Sequence, residues 1–391
     1  MSAENFPKKG DAALSRDRLE RLKLAMNIDI EAGRYYGGVL AVARHGELAW
    51  LEAVGHADAA RTRAVKTDSV FSLFSVSKAF TNVLVFQWIE QGLLALTTRV
   101  ADVIPEFAGG LREKLTIFDL LTHTSGMPSV YSPKPGMYID RLDEIIAAIC
   151  ENVQAAEPAG TRVDYSPMVN HALMGEMVRR TDRRQRSYRN LVEDEILKPL
   201  KMKDTSVGLR PDLKPRHLVP DFRGNAAINH LGHSDLGPNG AFEEPDAQMP
   251  WVGIASTAND MFRFAEMLRR GGELDGVRLL APRILQLARH NWTGDKPNEV
   301  YRRLAADRGW NLMPAYLGLG FSLRGEVIGH HLFGTLTSPQ TFGNYGAGTT
   351  LVWVDPELDM TFVGLCTGVM TSGDNIDRWQ RLCDIAVSAA L

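Results

Sequence analysis

Ser75 and Lys78 stand three residues apart in "FSLFSVSKAFTNVLVFQW", Phe71 to Trp88. On a helix, residues at that spacing share a face with Cβ atoms ~5–6 Å apart, so the amine can reach the hydroxyl. A serine hydroxyl is a poor nucleophile until a neighbour takes its proton. A lysine held among apolar groups has its pKa lowered, which suits it to that task. Ala79, Phe80, Val83, Leu84, Val85 and Phe86 follow Lys78, so this helix reads as buried. A buried lysine needs a reason. The competing reading is a solvated helix charge. The tetrad occurs once in the chain, after the strand-like "SVFSLF".

A lysine-activated serine gains from a third group that relays the proton to the leaving group. Tyrosine serves if neighbouring positive charge lowers its pKa. Tyr165, in "GTRVDYSPMVNHALMGEMV", sits in a loop directly before a helix and is the preferred candidate. Tyr131 lies in a proline-rich loop. Tyr188, inside "RRQRSYRNLVEDEIL", reads as a helix-surface residue. An oxyanion hole needs backbone N–H groups on a rigid element. "FGNYGAGTTLVWVDPE" supplies a strand start in which Gly343, Gly346 and Gly348 allow close backbone approach. The amides of Ser75 and Ala347 form the candidate pair. The competing reading is a bulged edge strand.

These residues need a frame. "SRDRLERLKLAMNIDIEAG" has a helical stripe of Leu19, Leu22, Leu24 and Met26 behind a Ser15 cap. "GGVLAVARHGELAWLEAVGHAD" reads as a β-hairpin around "RHGE". The middle is mainly helical, with "TIFDLLTHTSG", "RLDEIIAAICENV" and "STANDMFRFAEMLRRGG" as marked helices. The last begins at a Ser256/Thr257 cap and stops at Gly271–Gly272. From Tyr316 the pattern turns to strands, "YLGLGFSLRG" and "TTLVWVDPELDMTFVGLCTG", then a final helix. The expected fold is α+β. Residues 16–75 and 290–391 would build an antiparallel sheet flanked by helices, and 76–289 a mainly helical lobe. The site would lie between them, with 1–15 as a flexible tail.

Composition narrows the function classes. The 391 residues carry a net charge of −3, with 45% hydrophobic and 23% charged residues. No basic surplus draws in nucleic acid or an anionic membrane. Three scattered cysteines give neither a disulfide framework nor a zinc spacing. A polar N-terminus without a secretory core points to the cytoplasm. "NHLGHSD" offers His230, His233 and Asp235, with His330 and His331 further on, but in a loop rather than on a helix. The reading is therefore no metal and no cofactor. A G-x-S-x-G elbow is absent.

The ordered set "SVSK", "LLTHTSGMP", "YSP…HALMGEMV", "STANDMFRFAEMLRRGG" and "FGNYGAGTTLVWVDPELDMTFVGL" resembles the serine β-lactamase-like superfamily. It is most similar to the class C β-lactamase and family VIII carboxylesterase branch, over roughly residues 20–385. The resemblance implies an α/β sandwich lobe beside a helical lobe. It makes Ser75 the nucleophile, Lys78 its base and Tyr165 the second-motif tyrosine. The third motif falls on Asn344, Tyr345 and Gly346, with Ala347 as the oxyanion amide. Two departures stand out. The second motif is Tyr-Ser-Pro, so the usual asparagine is missing, and Asn170 one turn on is the candidate replacement. In the third motif Asn344 replaces a cation, removing an attraction for a substrate carboxylate of ~1.5–3 kcal/mol. Tyr345 narrows the groove. Trp251, Trp310 and Phe333 are further candidates for its lining. Both departures point away from β-lactams and toward small uncharged esters or amides. Rival readings are an acyltransferase using an alcohol or amine acceptor, a D-aminopeptidase or weak β-lactamase, a metal-dependent hydrolase, and a non-catalytic binding protein.

Overall fold

The computed structural model describes residues 14–221, 231–233, 237 and 240–390. The chain-order strands are β1 Gly37–Arg44, β2 Glu47–Gly55, β3 Val70–Ser72, β4 Ser206–Val207, β5 His217–Leu218 and β6 Ile254–Ser256. They continue as β7 Glu273–Leu274, β8 Val277–Arg278, β9 Ser322–Leu323, β10 Phe342–Gly346, β11 Thr350–Asp355 and β12 Met360–Cys366.

Six of these form one antiparallel sheet, in the order β2-β1-β12-β11-β10-β9. The expected hairpin turns at His45–Gly46, where both φ angles are positive (55° and 83°). Two-residue turns of that hand match the twist of the flanking strands. The β11–β12 pair, joined through the "DPELD" turn, carries an unbroken row of buried residues. Such strands face packed layers on both sides.

One layer is made by the first helix, Arg16–Glu31, and the last, Ser372–Ser388. Ser15 caps the first helix by accepting from the Arg18 N–H, and its own N–H donates to Ala389 O. The buried face consists of Leu19, Leu22, Ala25, Met26 and Ile30, whereas Leu24 is 62% exposed. The expected stripe erred because a 3.6 period places Ala25, not Leu24, beneath Leu22. Leu14 and Ser15 are tied to the last helix, so the described end of the presumed tail is anchored. The rest of that tail lies outside the described residues.

The opposite face takes the helix Ala258–Arg269, capped by Thr257 alone, because Ser256 closes β6. This helix packs on β1, β11 and β12. It falls within 76–289 but belongs with the sheet, a correction to the boundary expected from sequence order. Its buried Glu266 accepts from the Thr361 hydroxyl of β12 at 2.6 Å. Helices Lys78–Glu90, Ile117–Leu121, Leu142–Asn152 and Val169–Thr181 pack on one another and form the largest hydrophobic cluster with Trp88, Phe107 and Ile145. A small second sheet, β4-β6-β3-β5, holds the segment that leads into Ser75; sequence alone indicated only its β3 strand. "YLGLGFSLRG" yields just the two residues of β9. Among the described residues no helix is long and apolar enough to cross a membrane.

Candidate active site

Ser75 lies in a 3-10 turn, Phe74–Ser77, which runs straight into the Lys78–Glu90 helix. Phe74, just before it, has φ +51°. A non-glycine residue there is held by its surroundings. The holding is visible. A Cβ on Gly348 would come within 2.0 Å of the Phe74 ring, and one on Gly346 within 2.7 Å of Leu73 O. Thr350 also donates its hydroxyl to Leu73 O at 2.8 Å. The two glycines thus let the β10–β11 turn close against the nucleophile segment, which brings Ala347 to its side. Neither the Ser75 nor the Ala347 N–H has a hydrogen-bond partner among the described residues.

Lys78 is 2% exposed. Its Nζ lies 3.1 Å from Ser75 Oγ, 2.7 Å from Pro167 O and 3.1 Å from Trp251 O. Both carbonyls can only accept, so they take two N–H bonds. A neutral amine then has its lone pair for the Ser75 hydroxyl proton. Burial pushes the Lys78 pKa well below the ordinary lysine value. The Tyr165 hydroxyl donates to Ser75 Oγ at 2.8 Å, and Lys78 Nζ sits 5.2 Å from the centroid of its ring. Burial, then the Tyr345 phenol, push the Tyr165 pKa up rather than down. The lowering expected from neighbouring positive charge is therefore not found: burial dominates, and Tyr165 donates as a neutral phenol.

The "LLTHTSG" segment cradles this tyrosine. His123, itself at φ +53°, accepts the Asp164 N–H on its carbonyl and the Ser166 N–H on Nδ1, each at 3.0 Å. Its ring lies 4.8 Å from that of Tyr165. Burial and the nearby Lys78 depress His123 to about 3, so it stays neutral. His171, behind it, is likewise depressed by burial and by Lys78 and contacts Asn82 Oδ1 at 3.1 Å. No role for His123 was read from sequence, although the motif holding it was noted.

The other candidates separate. Asn344 and Tyr345 line the groove at Ser75, and Asn344 Nδ2 donates to Gly320 O at 3.0 Å. Trp251 lines it too, besides holding Lys78 through its carbonyl. Phe333 lines it, whereas Trp310 stacks on His330 at 4.0 Å and does not. Asn170 does not reach the groove. It is fully buried, donates to Leu120 O at 2.9 Å and accepts from Ser125 at 3.2 Å, because its helix turns that face into the core. Tyr188 is no surface residue but fully buried, 2.7 Å from Thr81 Oγ1. Tyr131 is exposed at the groove mouth. His230 and Asp235 lie outside the described residues. His233 Nδ1 is engaged by Asp140 at 2.7 Å. Among the described residues no three metal-binding side chains gather.

A buried lysine bonded to a half-buried serine that a half-buried tyrosine also reaches, beside an antiparallel sheet and a helical layer, defines a serine β-lactamase and transpeptidase-like fold. The chain belongs to the beta-lactamase family, whose model matches residues 17–386. It is 32% identical over 283 residues to penicillin-binding protein 4 of Amycolatopsis lactamdurans, covering 71% of each chain. It is 26% identical to the esterase/beta-lactamase LipL of Mycobacterium tuberculosis, over 84% of this chain and 76% of that one. Among solved structures, a family VIII carboxylesterase superposes with TM-score 0.75 at 21% identity, over 95% of this chain and 98% of the other. At that identity the likeness is one of fold.

Proposed function

We propose that this protein is a serine hydrolase that cleaves small uncharged esters, or amides, through an acyl-enzyme on Ser75. The observation that carries this reading is the single hydroxyl within hydrogen-bond reach of both Lys78 Nζ and Tyr165 OH. Neutral Lys78 takes the Ser75 proton as Oγ bonds to the acyl carbon. The carbonyl oxygen becomes an oxyanion and is met by the N–H groups of Ser75 and Ala347. Collapse breaks the acyl–oxygen bond. The departing alkoxide takes the Tyr165 proton, and the Lys78 ammonium restores it. Water then attacks the ester on Ser75, returning its proton through the same pair.

The preference for uncharged substrates is supported by the lining. Among the described residues it includes no arginine, aspartate or glutamate, and no lysine but Lys78. A substrate carboxylate would lose its hydration there without a cation to receive it. Acyl transfer to an alcohol or amine acceptor uses the same intermediate and is the second reading, favoured by the apolar space around Ser75. The test is a panel of p-nitrophenyl esters beside nitrocefin, on the wild type and on Ser75→Ala, with mass spectrometry of the acylated protein. Turnover of esters, faster than that of nitrocefin, with an acyl adduct on Ser75 agrees with the proposal. Equal turnover by Ser75→Ala overturns it, and preferred cleavage of nitrocefin overturns the substrate assignment.

A further inference from the structure

The groove at Ser75 extends along two adjoining arms. The first runs beneath Met313, Leu317, Phe321 and Phe333 and holds about 910 Å³ of empty space, part of it open to solvent. The second runs between Phe74, Met168, Trp251, Leu304 and Met370 and holds about 1020 Å³ on the same measure. Ser75, Tyr165 and Tyr345 belong to both linings. Lys78 and His123 face only the first arm, and Ala347 only the second. Tyr345 is the shared residue whose position is set by the sheet. It pairs with Leu351 across β10 and β11, and its neighbour Asn344 is pinned to Gly320 O. Burial pushes its phenol up to about 12, so its ring stays a neutral wall. Asn298, Tyr301, Leu332 and Ile376 also belong to both linings.

We infer that Tyr345 partitions the groove, so that among small uncharged esters the substrate class is one with an apolar chain of a few carbons on each side of the scissile bond, the acyl chain in one arm and the alcohol chain in the other. This rests on the serine-hydrolase reading above. Each arm carries an apolar stretch that can receive a chain of several carbons, Met313, Leu317, Phe321 and Phe333 in the first and Phe74, Met168, Leu304 and Met370 in the second. A group on one side of the ester cannot fill the other arm without passing Tyr345. Binding energy realised on both sides of the reacting carbon positions it more tightly than the same carbons on one side.

Isomeric ligands separate the arms from hydrophobicity, because composition is constant. Butyl pentanoate, methyl octanoate and heptyl acetate share one formula, as do 5-nonanone and 2-nonanone. Two arms predict kcat/KM for butyl pentanoate at least about fivefold above both other esters. They also predict tighter binding of 5-nonanone than of 2-nonanone to Ser75→Ala, read by calorimetry. In Tyr345→Ala the ratio of butyl pentanoate to methyl octanoate turnover falls toward one, a ratio that a general loss of activity does not move. A one-sided isomer that equals or beats butyl pentanoate overturns the partition, as does a ratio that survives Tyr345→Ala. Failure of every ester with 5-nonanone still preferred would defeat the hydrolase reading and leave the two arms standing.

Discussion

Two buried charged side chains in this protein are treated in opposite ways. Glu176, 1% exposed, accepts from Arg179 and Arg180, with Nε contacts of 2.7 and 2.6 Å. Those arginines reach on to Asp143 and Glu106 at the surface. Lys78 is as deeply buried but has only two carbonyls and a hydroxyl around it, with no carboxylate partner among the described residues. A buried charge that is paired can stay ionised. One that is not sheds its charge. The first arrangement secures a helix, and the second suits Lys78 to the role of base proposed for it. What distinguishes the candidate site is thus the withheld counter-ion rather than the presence of a charge.

The contrast can be broken at either end. Lys78→Met keeps the length of the side chain and removes the amine. The kcat for ester hydrolysis should fall by roughly 10³-fold or more, while the melting temperature changes little, since the relief of burying an amine without a counter-ion offsets the donor lost to Pro167 O and Trp251 O. Glu176→Gln should do the reverse. It leaves one acceptor oxygen where Arg179 and Arg180 shared two and should cost about 1–2 kcal/mol in denaturant unfolding, since both arginines keep Asp143 and Glu106, with activity per folded molecule unchanged. Tyr165→Phe keeps the ring on His123 and loses the donor. A fall in kcat of about 10²-fold with little change in KM is expected. If Tyr165→Phe is as damaging as Lys78→Met, the base has been misassigned.

The smallest effect is on stability. His123 is depressed to about 3 and His217 and His331 to about 4, all chiefly by burial. Each is neutral when folded and, once unfolded, takes up a proton near its ordinary value of ~6.5. The unfolded chain therefore binds more protons below ~6.5, and stability falls as pH drops from there toward about 4. A melting temperature that is flat over this window would contradict the neutral burial of these rings.

Much of the candidate site was legible because it is local. Ser75 and Lys78 are adjacent on one turn, and Tyr165 and Ala347 sit in short motifs with their own turn chemistry. The sheet was legible from the alternation and the turns of β1–β2 and β11–β12. What escaped depends on which face of an element meets another. Asn170 and Tyr188 look polar and available in sequence, yet their helices turn them into the core. The Ala258–Arg269 helix joins the sheet because its apolar face fits there, whatever its place in chain order. The upward shift of Tyr165 comes from enclosure by distant segments, which no spacing encodes. The arms are assembled from Tyr301, Met313 and Leu332, none of which carries a motif.

The most direct measurement is an NMR titration of the Lys78 side chain, with its signal assigned by comparison with Lys78→Met, run beside the pH profile of kcat/KM. A neutral base requires a midpoint well below that of the surface lysines, and an acidic limb of kcat/KM that rises through the same pH. If Lys78 titrates together with the surface lysines near ~10.4, the amine is charged at neutral pH and cannot accept the proton of Ser75.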